Sequence, residues 1–136
     1  MKEFSLEIIT PSKAAFTKNV TSVTVPGTKG NFQILYNHAP IISSLDVGEI
    51  NIVENGNKVA NFATSGGTIE VFNNKVIILV ETFERADQID LKRAEESKKR
   101  AQERLRLEKR KEFDQLRAEI ALKKAINRIK IVSKRL

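Results

Sequence analysis

The feature that most constrains how this chain can fold is an abrupt change of composition across residues 84–94, Glu-Arg-Ala-Asp-Gln-Ile-Asp-Leu-Lys-Arg-Ala. All six Gly, all three Pro and every aromatic except Phe113 lie before it, and no Arg precedes Arg85. Residues 1–84 carry 6 Lys+Arg against 8 Asp+Glu, whereas residues 85–136 carry 18 against 9. Gly and Pro serve turns and interrupt helices. The chain is therefore expected to form two units, a β unit over 1–84 and a helical unit over 85–136. With no Cys in the sequence, disulfides and thiolate metal sites are excluded.

In the first unit, apolar residues alternate with polar ones at Phe4, Leu6 and Ile8, at Val23 and Val25, at Phe32 and Ile34, at Ile50 and Ile52, and at Ile69 and Val71. A period of two marks strands with one buried face. Turn signals separate them, of which Asn55-Gly56 is the strongest, because a tight primed turn needs positive φ that Gly and Asn accept at low cost. About ten short antiparallel strands in 84 residues predict an all-β sandwich, since a single flat sheet would leave an apolar face in water. The apolar run Val76-Ile-Ile-Leu-Val80 reads as a strand buried on both faces. It is also the longest apolar run, too short to span a bilayer, and the N-terminus lacks a signal-peptide core. The chain is expected to meet a membrane only through partners.

No catalytic constellation emerges. His38 is the only histidine; a catalytic zinc wants about three ligands, and a nucleophilic mechanism wants a positioned Ser or Cys beside a base. His38 reads instead as a loop residue that forms a hydrogen bond or lies at an interface. Ser65-Gly66-Gly67 is too short to cradle phosphate and reads as a sharp turn.

From Asp87 onward, small and apolar residues recur at helical spacing, Ala94, Ser97, Ala101 and Leu105, then Ala118, Ala121, Leu122, Ala125, Ile129 and Val132. Two narrow stripes predict an antiparallel helical hairpin, broken near Lys109–Phe113 with Asp114 as N-cap. Glu95 with Lys99 and Glu96 with Arg100 are spaced for ion pairs. The excess of positive charge in this half suits an acidic protein surface or nucleic acid. Against nucleic acid stand the single aromatic of the basic half and the lack of a groove-reading motif.

Four stretches carry a resemblance over nearly the whole chain: Val25-Pro-Gly-Thr-Lys-Gly-Asn-Phe-Gln-Ile-Leu-Tyr-Asn-His-Ala-Pro40; Thr64-Ser-Gly-Gly-Thr-Ile-Glu-Val71 with Asn74-Lys-Val-Ile-Ile-Leu-Val-Glu81; Ile89-Asp-Leu-Lys-Arg-Ala94; and Ala118-Glu-Ile-Ala-Leu-Lys-Lys-Ala-Ile-Asn-Arg-Ile129. In that order they resemble the epsilon-subunit family of F-type rotary ATP synthases. The resemblance implies a sandwich followed by a two-helix hairpin, in a non-catalytic subunit of the central stalk. It implies partners in the gamma subunit and the ring of c subunits, and in the catalytic alpha and beta subunits when the helices extend and inhibit ATP hydrolysis. Nucleic acid is not among them. A peripheral place on the bacterial inner membrane is implied, or on the chloroplast thylakoid. The loop of Thr28, Lys29 and Asn31 would face the c ring, and the segment of His38 the gamma subunit.

Ile89, Asp90, Arg93 and Ala94 match the family's nucleotide motif, and Glu84, Arg100 and Arg128 match further contacts of ATP-binding members. Ile89 and Ala94 would wall an adenine, Asp90 would accept from its amine, and Arg93 would meet phosphate oxygens. Lys124 departs, standing where such members carry Arg, and lacks the bidentate fork. No cofactor is required, and ATP is implied only as a regulatory ligand.

Overall fold

The computed structural model describes residues 2–106 and 112–135, and these divide into two compact units, Met1–Arg85 and Ala86–Leu136. The first contains ten strands: β1 (Phe4–Thr10), β2 (Lys13–Val20), β3 (Ser22–Gly27), β4 (Gly30–Ile34), β5 (Ile41–Leu45), β6 (Gly48–Glu54), β7 (Lys58–Thr64), β8 (Gly67–Phe72), β9 (Lys75–Val80) and β10 (Phe83–Arg85). The second contains a 3-10 turn (Ala86–Gln88) and two helices, α1 (Leu91–Arg106) and α2 (Glu112–Arg135).

The strands form one continuous sheet in the order β10-β7-β6-β3-β5-β8-β9-β1-β2, with β4 also paired to β3. Its two halves join where β3 meets β5 at Gly27 opposite Leu45. The sheet turns back on itself at that corner, which answers the objection to a single sheet. Phe16 of β2 and Phe62 of β7, from opposite ends of the strand order, meet edge to face at 6.2 Å between ring centroids. Leu6, Ile8, Ile69 and Ile78 from one layer and Val23, Val25, Ile50 and Ile52 from the other are fully buried in the single core between them.

The alternating positions read from the sequence supply most of this core, with Phe32 only partly buried against it. Two expectations are corrected. The strands are not all antiparallel, for β1 and β9 run parallel from Ser5 opposite Lys75 to Ile9 opposite Leu79. Strands so far apart in the chain are not joined by a hairpin, so local turn chemistry does not set their relative direction. Nor is β9 buried on both faces: Val76, Ile78 and Val80 point to the core, while Leu79 is 48% exposed. Ile42 and Phe72 on the same outward face are 78% and 58% exposed.

The turns follow the residues that permit them. At Glu54–Asn57 the backbone N–H of Asn57 donates to the Glu54 carbonyl at 3.2 Å, and Asn55 and Gly56 have φ of 52° and 72°, the primed turn expected there. Gly66, at φ 100°, immediately precedes β8. At Gly67 an added Cβ would collide with the backbone carbonyl oxygen of Leu79, so the close approach of β8 to β9 requires glycine.

In the helical unit, Ala94 and Ala101 of α1 and Ala118 and Ala125 of α2 are buried, as the stripes predicted. Equal spacing on both helices lets these alanines oppose one another in two layers of an antiparallel pair. The break expected at Lys109–Phe113 lies mostly outside the described residues. Asp114, expected to cap α2, is instead its third residue.

We expect Gly67→Ala to destabilise the first unit by roughly 2–4 kcal/mol, because backbone rather than a flexible side chain must yield. Chemical denaturation of the full chain checks this, and a loss below about 0.5 kcal/mol, the scale of an ordinary surface substitution, would show that the two strands separate at little cost.

Candidate functional site

Asp90 is positioned by the start of α1. Its carboxylate Oδ1 accepts the Arg93 backbone N–H at 3.2 Å, and its carbonyl accepts the Ala94 N–H at 3.0 Å. This is the N-cap arrangement, satisfying a helix donor that would otherwise have no partner. Asp90 therefore has a structural role, and the cap uses only one of its two carboxylate oxygens. Upstream, the Ile89 N–H donates to the Ala86 carbonyl at 3.4 Å, closing the 3-10 turn that leads into the helix.

Around this cap the candidate residues differ in exposure. Asp90 and Arg93 are exposed, Ile89 is half-buried, and Ala94 is buried in the seam. If the equal spacing sets Ala94 opposite Ala125, Lys124 and Arg128, both half-buried, come level with residues 90–94. That register would bring Ile89, Asp90, Arg93, Ala94, Lys124 and Arg128 to one end of the hairpin. Arg100 lies six residues beyond Ala94, about 9 Å along the helix axis, and its Nη2 donates to Ser97 Oγ at 3.0 Å. Among the described residues Arg100 thus turns to Ser97 rather than to Glu96, the partner its spacing suggested. Glu84 belongs to β10 in the other unit, opposite Ala63.

The two loops singled out for partner contact lie at opposite ends of β4. Thr28 and Lys29 are the exposed tip of the β3–β4 hairpin, where Gly27 pairs with Gly30. Thr28 is fixed to β5 by its N–H to the Ser44 carbonyl at 3.3 Å and by a contact between the two hydroxyls at 3.1 Å. Asn31, next in β4, is exposed. At the other end His38 is half-buried, with Nδ1 2.7 Å from the Ala39 carbonyl oxygen. A carbonyl only accepts, so Nδ1 bears the proton and Nε2 is left as an acceptor when the ring is neutral. No group of three or more His, Cys, Asp or Glu side chains among the described residues could hold a metal ion.

Sequence reasoning missed two features. One is the outward exposure of Ile42, Phe72 and Leu79; for Leu79 the signal was the unbroken run Val76–Val80, where a strand with one wet face ought to alternate. The other is Asn74, legible only as a turn residue, whose side chain reaches across to Asn37.

Comparison with known proteins agrees with this geometry. Residues 3–86 match the family described as ATP synthase, delta/epsilon chain, beta-sandwich domain, and residues 87–133 match its long alpha-helix domain. The ATP synthase epsilon chain of Desulforamulus reducens is 48% identical over 125 residues, covering 92% of this chain and 93% of that one. That of Desulfitobacterium hafniense is 44% identical over 126 residues, with 93% of each chain covered. Among solved structures, a chain of the Euglena gracilis mitochondrial ATP synthase superposes with a TM-score of 0.78 at 20% identity, covering 89% of this chain and 76% of that chain, which shows a shared fold. A sandwich followed by a pair of helices is the two-domain arrangement of the ATP synthase delta/epsilon chains. The chain belongs to the delta/epsilon chain family of ATP synthases, as a non-catalytic subunit of the central stalk. No helix among the described residues is long and apolar enough to cross a membrane.

Because Asp90 is a cap, Asp90→Ala should lower the stability of the helical unit by about 1 kcal/mol, and Asp90→Asn, which keeps a capping oxygen, should restore most of it. Helicity by circular dichroism during thermal unfolding reads this directly. Equal stabilities for Ala and Asn would remove the capping role.

Proposed function

We propose that residues 1–84 act as an adaptor between the gamma subunit and the c ring, and that residues 85–136 act as a switch that restrains ATP hydrolysis when its helices part. The observation that carries the switch is the composition of the seam. Among the described residues of the helical unit, the buried side chains are Ala86, Ala94, Ala101, Ala118, Ala125 and Ile131. Burying one methylene contributes about 0.8 kcal/mol and a full Leu, Ile or Val about 1.5–3 kcal/mol. Such a seam holds two helices together weakly enough for another surface to compete.

The adaptor role is supported by loops at opposite ends of β4, about 17 Å apart for five residues of strand. One chain can thereby touch two partners at once, the c ring through Thr28, Lys29 and Asn31, and the gamma subunit through His38. The outward surface of Ile42, Phe72 and Leu79 also suits a chain that works within an assembly. Helices rich in Lys and Arg suit acidic surfaces of the catalytic subunits. The complex would be that of a bacterial inner membrane, with the subunit peripheral to it.

ATP is proposed as a ligand of the closed hairpin alone, since the candidate contacts come from both helices, Ile89, Asp90, Arg93, Ala94 and Arg100 from the first and Lys124 and Arg128 from the second. Glu84, implied by the resemblance alone, lies at the end of the first unit and is left out of this site. A ligand at 100 times its Kd adds about 2.7 kcal/mol to the state that binds it, several times what one alanine methyl contributes.

Isothermal titration of the full chain with millimolar ATP should give saturable heat. Lys124→Arg should tighten binding by restoring the fork to phosphate. Asp90→Asn should weaken it while leaving the helix capped, which separates loss of the acceptor from loss of the helix. Absence of heat for the unaltered chain would leave the switch without nucleotide control.

A further inference from the structure

Among the described residues of the first unit, four other than glycine have positive φ, and all are Asn: Asn37 at 64°, Asn55 at 52°, Asn73 at 49° and Asn74 at 58°. Glycine would take up these conformations at lower cost, so a side chain retained at such a position invites the question of what it binds. At Asn37 and Asn74 the two side chains bind each other's residues. The Asn37 N–H donates to Asn74 Oδ1 at 2.6 Å, and Asn74 Nδ2 donates to Asn37 Oδ1 at 3.0 Å. The Asn74 carbonyl meanwhile accepts the Ser5 N–H at 3.0 Å. One residue thus ties the β8–β9 turn and the start of β1 to a loop 37 positions away.

That loop is Leu35–Ala39. The His38 N–H donates to the Leu35 carbonyl at 3.1 Å, closing a type II turn whose third residue, Asn37, needs positive φ. The turn displays Leu35 and Tyr36, 51% and 38% exposed, and the Lys2 ammonium stands 5.1 Å from the Tyr36 ring. An exposed aliphatic and an aromatic side chain held on a loop braced at its base form a preorganised contact surface, because the ordering cost of binding has been met in the free protein.

We infer that the reciprocal amide clamp of Asn37 and Asn74 sets the conformation of the Leu35–Ala39 loop before a partner arrives, and that Asn74 is a positioning residue for that contact. The inference rests on the rotor-adaptor reading, under which the partner at this loop is the gamma subunit. The clamp acts through the loop and touches no partner itself.

Glycine substitution tests it cleanly. Asn74→Gly keeps the left-handed backbone and removes both clamp bonds, and Asn37→Gly removes the side-chain acceptor from the other side. Three measurements on the full chain are needed: thermal unfolding, hydrogen exchange of the residue-37 amide, and titration with purified gamma subunit. We expect Tm to move by no more than about 4 °C, the residue-37 amide to exchange at least about tenfold faster in Asn74→Gly, and Kd for gamma to rise about five- to tenfold. Asn74→Asp, which keeps the acceptor and loses the donor, should fall between. The double glycine variant should be no worse than Asn74→Gly alone, since both remove the same clamp. Unchanged gamma affinity in Asn74→Gly with a fast-exchanging amide would overturn the positioning role and leave only a structural brace. An unchanged amide would overturn the clamp itself. If the unaltered chain does not bind gamma, the rotor reading fails and this contact with it, while the exchange data still decide whether the clamp orders the loop.

Discussion

Burial of branched aliphatic side chains between two halves of one sheet is the interaction on which the first unit depends. Eleven large side chains, from Leu6 to Ile78, are essentially inaccessible to water there. At about 1.5–3 kcal/mol each, they outweigh any single polar contact in the structure. The sheet can bring them together because β3 changes partners along its length, pairing with β6 at Ser22–Thr24 and reaching β5 only at Gly27. Gly27 suits the corner: a Cβ there would lie 2.7 Å from both the Gly30 carbonyl oxygen and the Phe32 ring. At the open ends of the layers the Phe62 ring stacks on Phe83 at 4.1 Å and meets Phe16 edge-on, so aromatics close what the ladder leaves unpaired.

How much of this was legible depended on whether the signal was local. Alternation at Phe4, Leu6 and Ile8 declares a strand and its inner face because side-chain direction is set by the backbone alone. Asn55-Gly56 declares its turn for the same reason. The parallel pairing of β1 with β9 is not written in either segment, since it depends on how the rest of the sheet is routed. The run Val76–Val80 misled because apolarity does not record which way a side chain faces. Leu79 faces outward in the isolated chain, and the sequence alone cannot distinguish a second core from a surface that a partner covers.

At the helical site the motif was legible but its division of labour was not. Ile89-Asp-Leu-Lys-Arg-Ala94 points to nucleotide chemistry by its family likeness, with helix support as the plainer role for Asp90. The hydrogen bond from the Arg93 N–H places that plainer role in the structure. The two roles do not compete, because a carboxylate has two oxygens and the cap uses one. If nucleotide binds as proposed, sharing Asp90 would couple the two roles, since a ligand drawing on it would act on the residue that starts α1. Fraying of that first turn would in turn misplace Arg93 and Ala94. Nucleotide control of the helices, if it operates through these residues, is therefore bound to helix initiation as well as to the seam.

The two units also store conformational freedom differently, and the difference bears on how one chain could serve as adaptor and switch. In the sandwich, loops are pinned by side chains from distant segments, as Asn74 pins Asn37 and as Ser44 holds Thr28, so a partner docking on them would meet a surface already set in shape. In the hairpin, the buried contacts come mostly from methyl groups spaced seven residues apart, 94 to 101 and 118 to 125. Alanine favours each helix strongly while contributing little to the pairing of helices. Separating them would cost the seam without melting the helices themselves. If the helices act as the proposed switch, with long helices in both states, residues that stabilise the helix more than the fold around it would serve it well, and the change in composition at residues 84–94 would carry that asymmetry.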